Sequence, residues 1–338
     1  MTCLRSLAIV LVLVGCGHTS SPPERSSPLL VRSGSLAADA ALIDTRDADP
    51  LWATDTAGST RFEDRTGIVA GAIPGHEADM PRGLRGLPGN EIWTCLEAGV
   101  AHFAAGAWTF TAWTAFGTPD APAYCDALDA RSSNDVWLTG SSSLCHFDGT
   151  GWACRSDLPG QVREIALTAT HVWMAHDTGA GAETELLVID TSTTNGTITS
   201  VSVGALVAIG TITPVPGTEQ VYLTHDPHAF MNGDTSVRLF STSGLVRTES
   251  AQAAIPISTT ETYLIQFFDD TTEHCSGFII GTCTGVELWS QVVVTHVVGA
   301  TSTEVAHFTD PAGGAVPTEA IRVDDTIEFI GNPAFALP

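Results

Sequence analysis

From Arg131 to Trp152 the chain reads RSSNDVWLTGSSSLCHFDGTGW, and from Leu87 to Trp108 it reads LPGNEIWTCLEAGVAHFAAGAW. Shifted by 44 residues, the two stretches align without a gap. Asn90 falls on Asn134, Trp93 on Trp137, His102 and Phe103 on His146 and Phe147, and Trp108 on Trp152. A phrase this rich in Trp and Phe, written twice, marks an internal repeat. Val, Ile, Thr, Trp and Phe crowd each anchor, and Gly, Ser, Asp and Pro separate them. Each copy therefore reads as short β-strands joined by turns.

Fainter copies extend the series. Trp52 precedes Phe62 by ten residues, as Trp93 precedes Phe103 and Trp137 precedes Phe147. Trp173 in HVW, Tyr222 in EQVYLTHD, Tyr263 in TETYLIQF and Ala306 in TEVAHFTD take the next positions. The spacings between anchors are 41, 44, 36, 49, 41 and 43 residues. No 12-residue helical pattern follows residue 35. A period near 40 with several short strands per repeat predicts an all-β fold, a β-propeller of about seven four-stranded blades over residues 36–338. Six or eight blades, or a pair of β-sandwiches, are the alternatives. One four-stranded blade cannot cover both its faces, so large aromatics at fixed positions should wedge between neighbours, burying roughly 150–250 Å² each. The expected blade-packing residues are Trp52, Trp93, Trp137, Trp173, Phe62, Phe103, Phe147, Trp108 and Trp152, with Val136, Leu138 and Leu144 flanking Trp137.

The first residues read as an address. Arg5 supplies a positive start, and LAIVLVLVG from Leu7 to Gly15 is apolar but too short to span a bilayer. The stretch ends in Leu13-Val14-Gly15-Cys16. LVGC resembles a bacterial lipobox, which implies cleavage before Cys16, lipidation of its thiol and a signal peptide over residues 1–15. Gly17 stands where an aspartate would imply inner-membrane retention, so the resemblance implies an outer-membrane anchor facing the periplasm or the cell surface. Losing Arg5 with the leader takes the formal net charge from −24 to −25. Residues 16–35, rich in Ser, Pro and Gly, read as the lipidated Cys and a disordered tether reaching roughly 25 Å. No later stretch has 18 consecutive apolar residues.

Beyond Cys3 and Cys16, six cysteines remain, an even count that in an exported chain reads as disulfides. CHFDGTGWAC reads as a hairpin turning through Asp148-Gly149-Thr150-Gly151. A register that sets Phe147 opposite Trp152 also sets Cys145 opposite Cys154, at disulfide range. Cys275 and Cys283 flank SGFIIGT and suit a second local staple, leaving Cys95 for Cys125. No CxxC is present, and no His lies at ligand spacing from a Cys pair, so no metal site is expected.

The repeat sharpens into a second resemblance. Asn134-Asp135-Val136-Trp137, followed by His146-Phe147-Asp148-Gly149 and Trp152, is similar to the N-D-V-W…H-F-D-G-x-x-W repeat of exported bacterial propeller lipoproteins. The likeness covers residues 84–190 well and the remainder by period alone. It implies a propeller and no single activity.

Composition excludes several chemistries. All 14 basic residues are arginine and the chain has no lysine, which removes Schiff-base lysines, lysine bases and Walker-type phosphate loops. A net charge of −24 argues against nucleic acid as a partner. GxSxG and SxxK are absent, and GAGAET at 179–184 lacks the third glycine of a dinucleotide loop. His102 and His146 occupy equivalent repeat positions, so an architectural role is expected of both. His76, beside Glu77 and Asp79, lacks the second histidine of HExxH. Asp44, Asp47 and Asp49, and the loop Asp226–Asp234, could bind Ca²⁺ weakly, although a solvated turn suits each better. No other cofactor is expected. Asp269, Asp270 and Glu273 form one acidic tip, and Asp324, Asp325 and Glu328 another.

These features favour a membrane-anchored extracytoplasmic binding or scaffolding propeller with a protein or glycan partner and no catalytic signature. A polysaccharide-acting enzyme with carboxylates in the central funnel, and an outer-membrane assembly factor, are the alternatives. Replacing Cys16 with Ala is expected to move the protein from the membrane pellet to the soluble fraction. Persistence in the pellet after the exchange would show that Cys16 is not the anchor.

Overall fold

A computed structural model describes residues 30–33, 40–44, 51–55, 59–64, 67–79, 81–140, 142–177, 184–192, 196–203, 209–225, 236–276, 282–310, 319–323 and 326–330. The chain forms a β-propeller. Blade 1 consists of β2 (Ala40–Asp44), β3 (Leu51–Asp55), β4 (Thr60–Asp64) and β5 (Gly67–Ala70). Blade 2 holds β6 (Gly83–Leu87), β7 (Glu91–Leu96), β8 (Gly99–Ala104) and β9 (Ala107–Ala112). Blade 3 holds β10 (Ala127–Ser132), β11 (Asp135–Gly140), β12 (Ser143–Phe147) and β13 (Trp152–Arg155). Blade 4 holds β14 (Gln161–Leu167), β15 (His171–Asp177), β16 (Thr184–Asp190) and β17 (Thr199–Ser202). Blade 5 holds β18 (Ile209–Pro214), β19 (Val221–His225), β20 (Ser236–Ser241) and β21 (Gly244–Ser250). Blade 6 holds β22 (Ala253–Ser258), β23 (Glu261–Ser276), β24 (Thr282–Val298) and β25 (Thr301–Asp310).

The seventh sheet pairs β26 (Glu319–Val323) antiparallel with β27 (Thr326–Ile330). Its third strand is β1 (Leu30–Ser33), which runs parallel to β27 with Leu30 opposite Thr326. Among the described residues this blade has three strands rather than the four expected. The stretch read as a tether to residue 35 thus contributes a strand. Leu30-Val31 supplies the β-forming side chains that the Ser- and Pro-rich residues before it lack.

Strands within blades 1–6 pair in chain order, and the first strand of each blade lies beside the first strand of the next, from β2 to β26. First strands therefore line the axis and fourth strands lie outermost. The β7–β8 and β8–β9 connections are two-residue turns, and Ala105 and Gly106 in the second adopt φ of 51° and 80°, as a type I′ turn demands. Gly140 marks a close approach, since a Cβ there would lie 1.7 Å from the carbonyl oxygen of Tyr124.

The core consists of apolar layers between neighbouring blades. Between blades 2 and 3, Trp93 meets Phe147 at 5.5 Å and Trp152 at 6.3 Å between ring centroids. Trp137 lies in the layer between blades 3 and 4, with Leu158, Ile165 and Leu187. Trp173, fully buried, lies between blades 4 and 5 with Ile212 and Phe240. Blades 2 and 3 offer a paired platform to the blade before, Phe103 on Trp108 at 5.2 Å in blade 2 and Phe147 on Trp152 at 5.3 Å in blade 3. Blade 1 is one residue out of step. Trp52 pairs with Glu63, and it is Phe62, opposite Ala53, that sits against Trp108 of blade 2 at 5.0 Å. The side chain of Trp52 lies outside the described residues.

The last anchor of the sequence series needs correction. Ala306 falls on β25, the fourth strand of blade 6, and not on the second strand of a seventh blade. The 16- and 17-residue strands β23 and β24 lengthen blade 6 and shift the phase of everything after it.

Cys145 is bonded to Cys154 across directly paired positions of β12 and β13. Cys95 on β7 is bonded to Cys125 in the connector to blade 3. Cys275 and Cys283 are opposed in the β23–β24 ladder, but their side chains lie outside the described residues. In the chain-entropy account, removing the link of separation 30 costs about 3.6 kcal/mol and removing the link of separation 9 about 2.6 kcal/mol. Cys95→Ala/Cys125→Ala is thus expected to lower the denaturation midpoint more than Cys145→Ala/Cys154→Ala, measured by urea unfolding. The reverse ranking would show that Cys95–Cys125 constrains the unfolded chain less than its loop length implies.

Candidate functional site

The histidines singled out by the repeat belong to a recurring three-residue unit. In blade 2, the Trp93 ring stacks on His102, its cross-strand partner, at 3.9 Å and 8°. His102 Nε2 lies 2.6 Å from Glu91 Oε1, two residues before Trp93. In blade 3, Trp137 stacks on His146 at 4.1 Å, and His146 Nε2 lies 3.0 Å from Asp135 Oδ1. Blade 6 repeats the unit with Tyr263 stacked on His296 at 4.5 Å and His296 Nε2 2.8 Å from Glu261 Oε1. The register explains all three. An acid opens the second strand, an aromatic follows on the same face, and the third strand brings a His directly opposite the aromatic. The ring covers the aromatic while its tip reaches the acid within the same sheet. Sequence reasoning gave His102 and His146 an architectural role but missed the carboxylate, although Glu91, Asp135 and Glu261 all stand two residues before the anchor.

Asp135 carries the densest set of bonds. It accepts from Trp137 Nε1 at 2.8 Å and Arg131 Nη1 at 2.6 Å in addition to His146. Burial pushes its carboxyl up, but the bonds from His146, Arg131 and Trp137 outweigh that and hold it well below the usual carboxylate range. Trp93 lacks the second bond, and its buried Nε1 has no hydrogen-bond partner among the described residues.

Arginines carry the connections onward. Arg131 donates to the carbonyls of Thr168 and His171 in blade 4. At the same end, Glu219 of blade 5 accepts from the Thr168 hydroxyl and from the Thr170 amide, and lies 2.9 Å from His171 Nδ1. Burial pushes the Glu219 carboxyl up, and the bonds from Thr168, His171 and Thr170 bring it below its ordinary value. Nearer the axis, buried Arg85 of β6 donates from Nε to Ala130 O at 3.1 Å and pairs with buried Asp129 of β10 at 3.1 Å. Asp129 Oδ2 in turn accepts from the Leu167 amide of β14 at 2.8 Å. Arg85 and Asp129 occupy the same repeat position, opposite Trp93 and Trp137. Three successive inner strands are thus joined by one buried ion pair and its hydrogen bonds.

The other sequence candidates fall elsewhere. His76 lies in the connector between blades 1 and 2, with Nδ1 2.8 Å from Asp79 Oδ2 and its ring 4.0 Å from that of Phe110. Asp44 ends β2, whereas Asp47, Asp49, the loop Asp226–Asp234, Asp324 and Asp325 lie outside the described residues. Asp269, Asp270 and Glu273 take positions on β23, and Glu328 one on β27. Among the described residues, no group of three or more His, Cys, Asp or Glu side chains could hold a metal ion. His176, which the sequence did not flag, is 3% exposed, and neither ring nitrogen has a hydrogen-bond partner among the described residues.

The two ends of the ring therefore differ. The end carrying the first-to-second-strand turns holds the His–acid units and the Arg131 and Glu219 bonds. The opposite end gathers the connectors between blades and the long β23–β24 hairpin, and this end is the candidate binding face.

No protein-family model matches the chain, and no curated protein sequence matches it. Solved structures match in fold. A nidogen/laminin complex gives a TM-score of 0.45 at 10% identity over 85% of this chain and 97% of that one. YCF48 bound to D1 peptide gives 0.47 at 10% identity over 82% and 86%. Hydrazine synthase of Kuenenia stuttgartiensis gives 0.47 at 10% identity over 87% and 95%. Nothing about activity passes to this chain from likeness at this level.

The Asp135 bonds set a pH dependence. An unfolded chain would titrate this group near 3.9. With the folded value lower, the stabilisation is complete above about pH 4 and is lost as pH falls toward the folded value. Asp135→Asn is expected to cost about 1–3 kcal/mol at pH 7. The gap from wild type, measured by thermal unfolding, should narrow below about pH 4. A gap that stays constant down to pH 2 would show that the carboxylate charge contributes nothing.

Proposed function

We propose that this protein is an exported, lipid-anchored propeller that binds or scaffolds a partner rather than transforming a substrate. One observation carries the reading. The pairs that resemble acid–base machinery, His102 with Glu91, His146 with Asp135 and His296 with Glu261, recur at one register position in three blades. A side-chain set repeated by the architecture serves the architecture, because a catalytic constellation needs to occur once and to converge on one reacting atom. Each His is stacked flat on its aromatic, which leaves the ring in contact with its own sheet. The lipobox-like LVGC and the tether that follows support placement at a membrane surface, with the ring held clear of it. The connector end of the ring, to which every blade contributes a segment, supplies a broad face for a partner.

The test is a polysaccharide panel assayed for release of reducing ends. The purified protein is expected to release none above the buffer control. Turnover that disappears when Glu91 and Asp135 are exchanged for Gln and Asn would overturn the binding reading and make those carboxylates catalytic.

A further inference from the structure

Blade 6 departs from the others at one place. Its ladder runs unbroken in backbone pairing from Glu261 opposite Val298 to Ser276 opposite Thr282, with one irregularity between Glu273 and Cys275. Its neighbours stop far short. β22 pairs with β23 only as far as Ile265, and β25 pairs with β24 only from Ser290 onward. Beyond these points a two-stranded ribbon leaves the connector end of the ring. Among the described residues, nothing pairs with β23 on the side that faces β22 and the axis from Phe267 to Ser276. Ten residues at about 3.3 Å each make an open edge of roughly 33 Å.

An edge this long is a template for another strand, and proteins usually blunt such edges with proline, lysine or a bulge. FFDDTTEHCS has no proline and no lysine, and its irregularity comes only near the tip. What it does carry is acid: Asp269, Asp270 and Glu273, with Glu287 on the companion strand. The deficit of cations extends further, because no lysine or arginine occurs from Thr248 to Ile321. A second copy of this edge would set carboxylates against carboxylates in antiparallel pairing, which is unfavourable. A strand that carries arginine or lysine meets the opposite condition.

We propose that the open edge of β23 from Phe267 to Ser276 takes up an extended, arginine- or lysine-bearing segment of a partner protein as an added strand. This inference rests on the binding reading above and names the class of partner. Main-chain hydrogen bonds along the edge supply affinity, and the acids at 269, 270 and 273 supply selectivity and fast encounter.

The experiment uses the purified full chain and a labelled ten-residue peptide that alternates arginine with valine, read by fluorescence anisotropy. Saturable binding is expected, weakened about tenfold between 50 and 500 mM NaCl as exposed charges are screened. A peptide with every second amide N-methylated, equal in charge but unable to donate to the ladder, is expected to bind at least tenfold more weakly. So is the natural peptide with Asp269→Asn/Asp270→Asn/Glu273→Gln. A ribbon-shortened variant, with residues 268–291 replaced by a two-residue turn, should lose binding. The triple substitution keeps the test decisive if shortening prevents folding.

Equal affinity of the methylated and natural peptides would overturn the proposal by showing simple charge attraction. Unchanged binding by the shortened variant would place the cation site elsewhere and overturn it. Self-association through the ribbon in sedimentation, or binding seen only after residues 1–29 are removed, which leaves β1 in place, would assign the edge to a second copy or to this chain's own N-terminal segment, and either overturns it. Absence of peptide binding together with absence of polysaccharide turnover sinks this inference and leaves the binding reading in place.

Discussion

The ring stands on one recurring contact, an apolar side chain from one sheet set into a hollow in the next. Trp93 against Phe147 and Trp152 is its fullest form. The hollow exists because the third and outermost strands of the receiving blade place a Phe beside a Trp, so both partners of the contact are written into the repeat. Blade 1 shows that the contact matters more than the letter that makes it. There Phe62 on the third strand does what tryptophan on the second strand does elsewhere. A twisted four-stranded sheet exposes two apolar faces, and only a closed series of such contacts leaves neither face wet.

Arginine serves the same end with polar bonds. Arg85 and Arg131 reach carbonyls of the following blade, Arg155 of blade 3 reaches Gly196 O of blade 4 at 2.6 Å, and Arg238 of blade 5 reaches Val203 O at 2.7 Å. A guanidinium presents a rigid fork of donors and can satisfy a carbonyl and a carboxylate together, which an ammonium on a flexible stem does less well. In a chain of formal charge −24 with no lysine, at least four arginines join neighbouring blades. The negative charge is left for the surface, where it favours cationic partners and discourages self-association.

The ring was legible in the sequence because aromatics are bulky, few and periodic. Trp93, Trp137, Trp173, Tyr222 and Tyr263 all mark second strands. Opposition of Cys145 and Cys154 was legible because a hairpin leaves one register once an aromatic pair is fixed. Three things escaped. The seventh anchor was misplaced, because an insertion inside a hairpin changes spacing without changing strand order. The partners of His102 and His146 were missed, since a cross-strand bond joins residues 11 apart through a turn. Arg85 and Asp129 gave no signal, because a pair 44 residues apart looks like two unrelated charges until adjacent blades bring it together. The candidate binding end was the least legible part, for loops obey no period.

β1 lies beside β27, so the seam of the ring is sewn from strands nearly three hundred residues apart. Whatever the order in which the other sheets assemble, the first strand to emerge has its mate among the last. Until the β26–β27 hairpin is in place, β1 has no strand to pair with. A pairing across so long a separation carries the loop-closure cost of nearly the whole chain. Removing either β1 or β27 would leave the other strand without its mate, so the two ends of the described chain are held by one shared ladder.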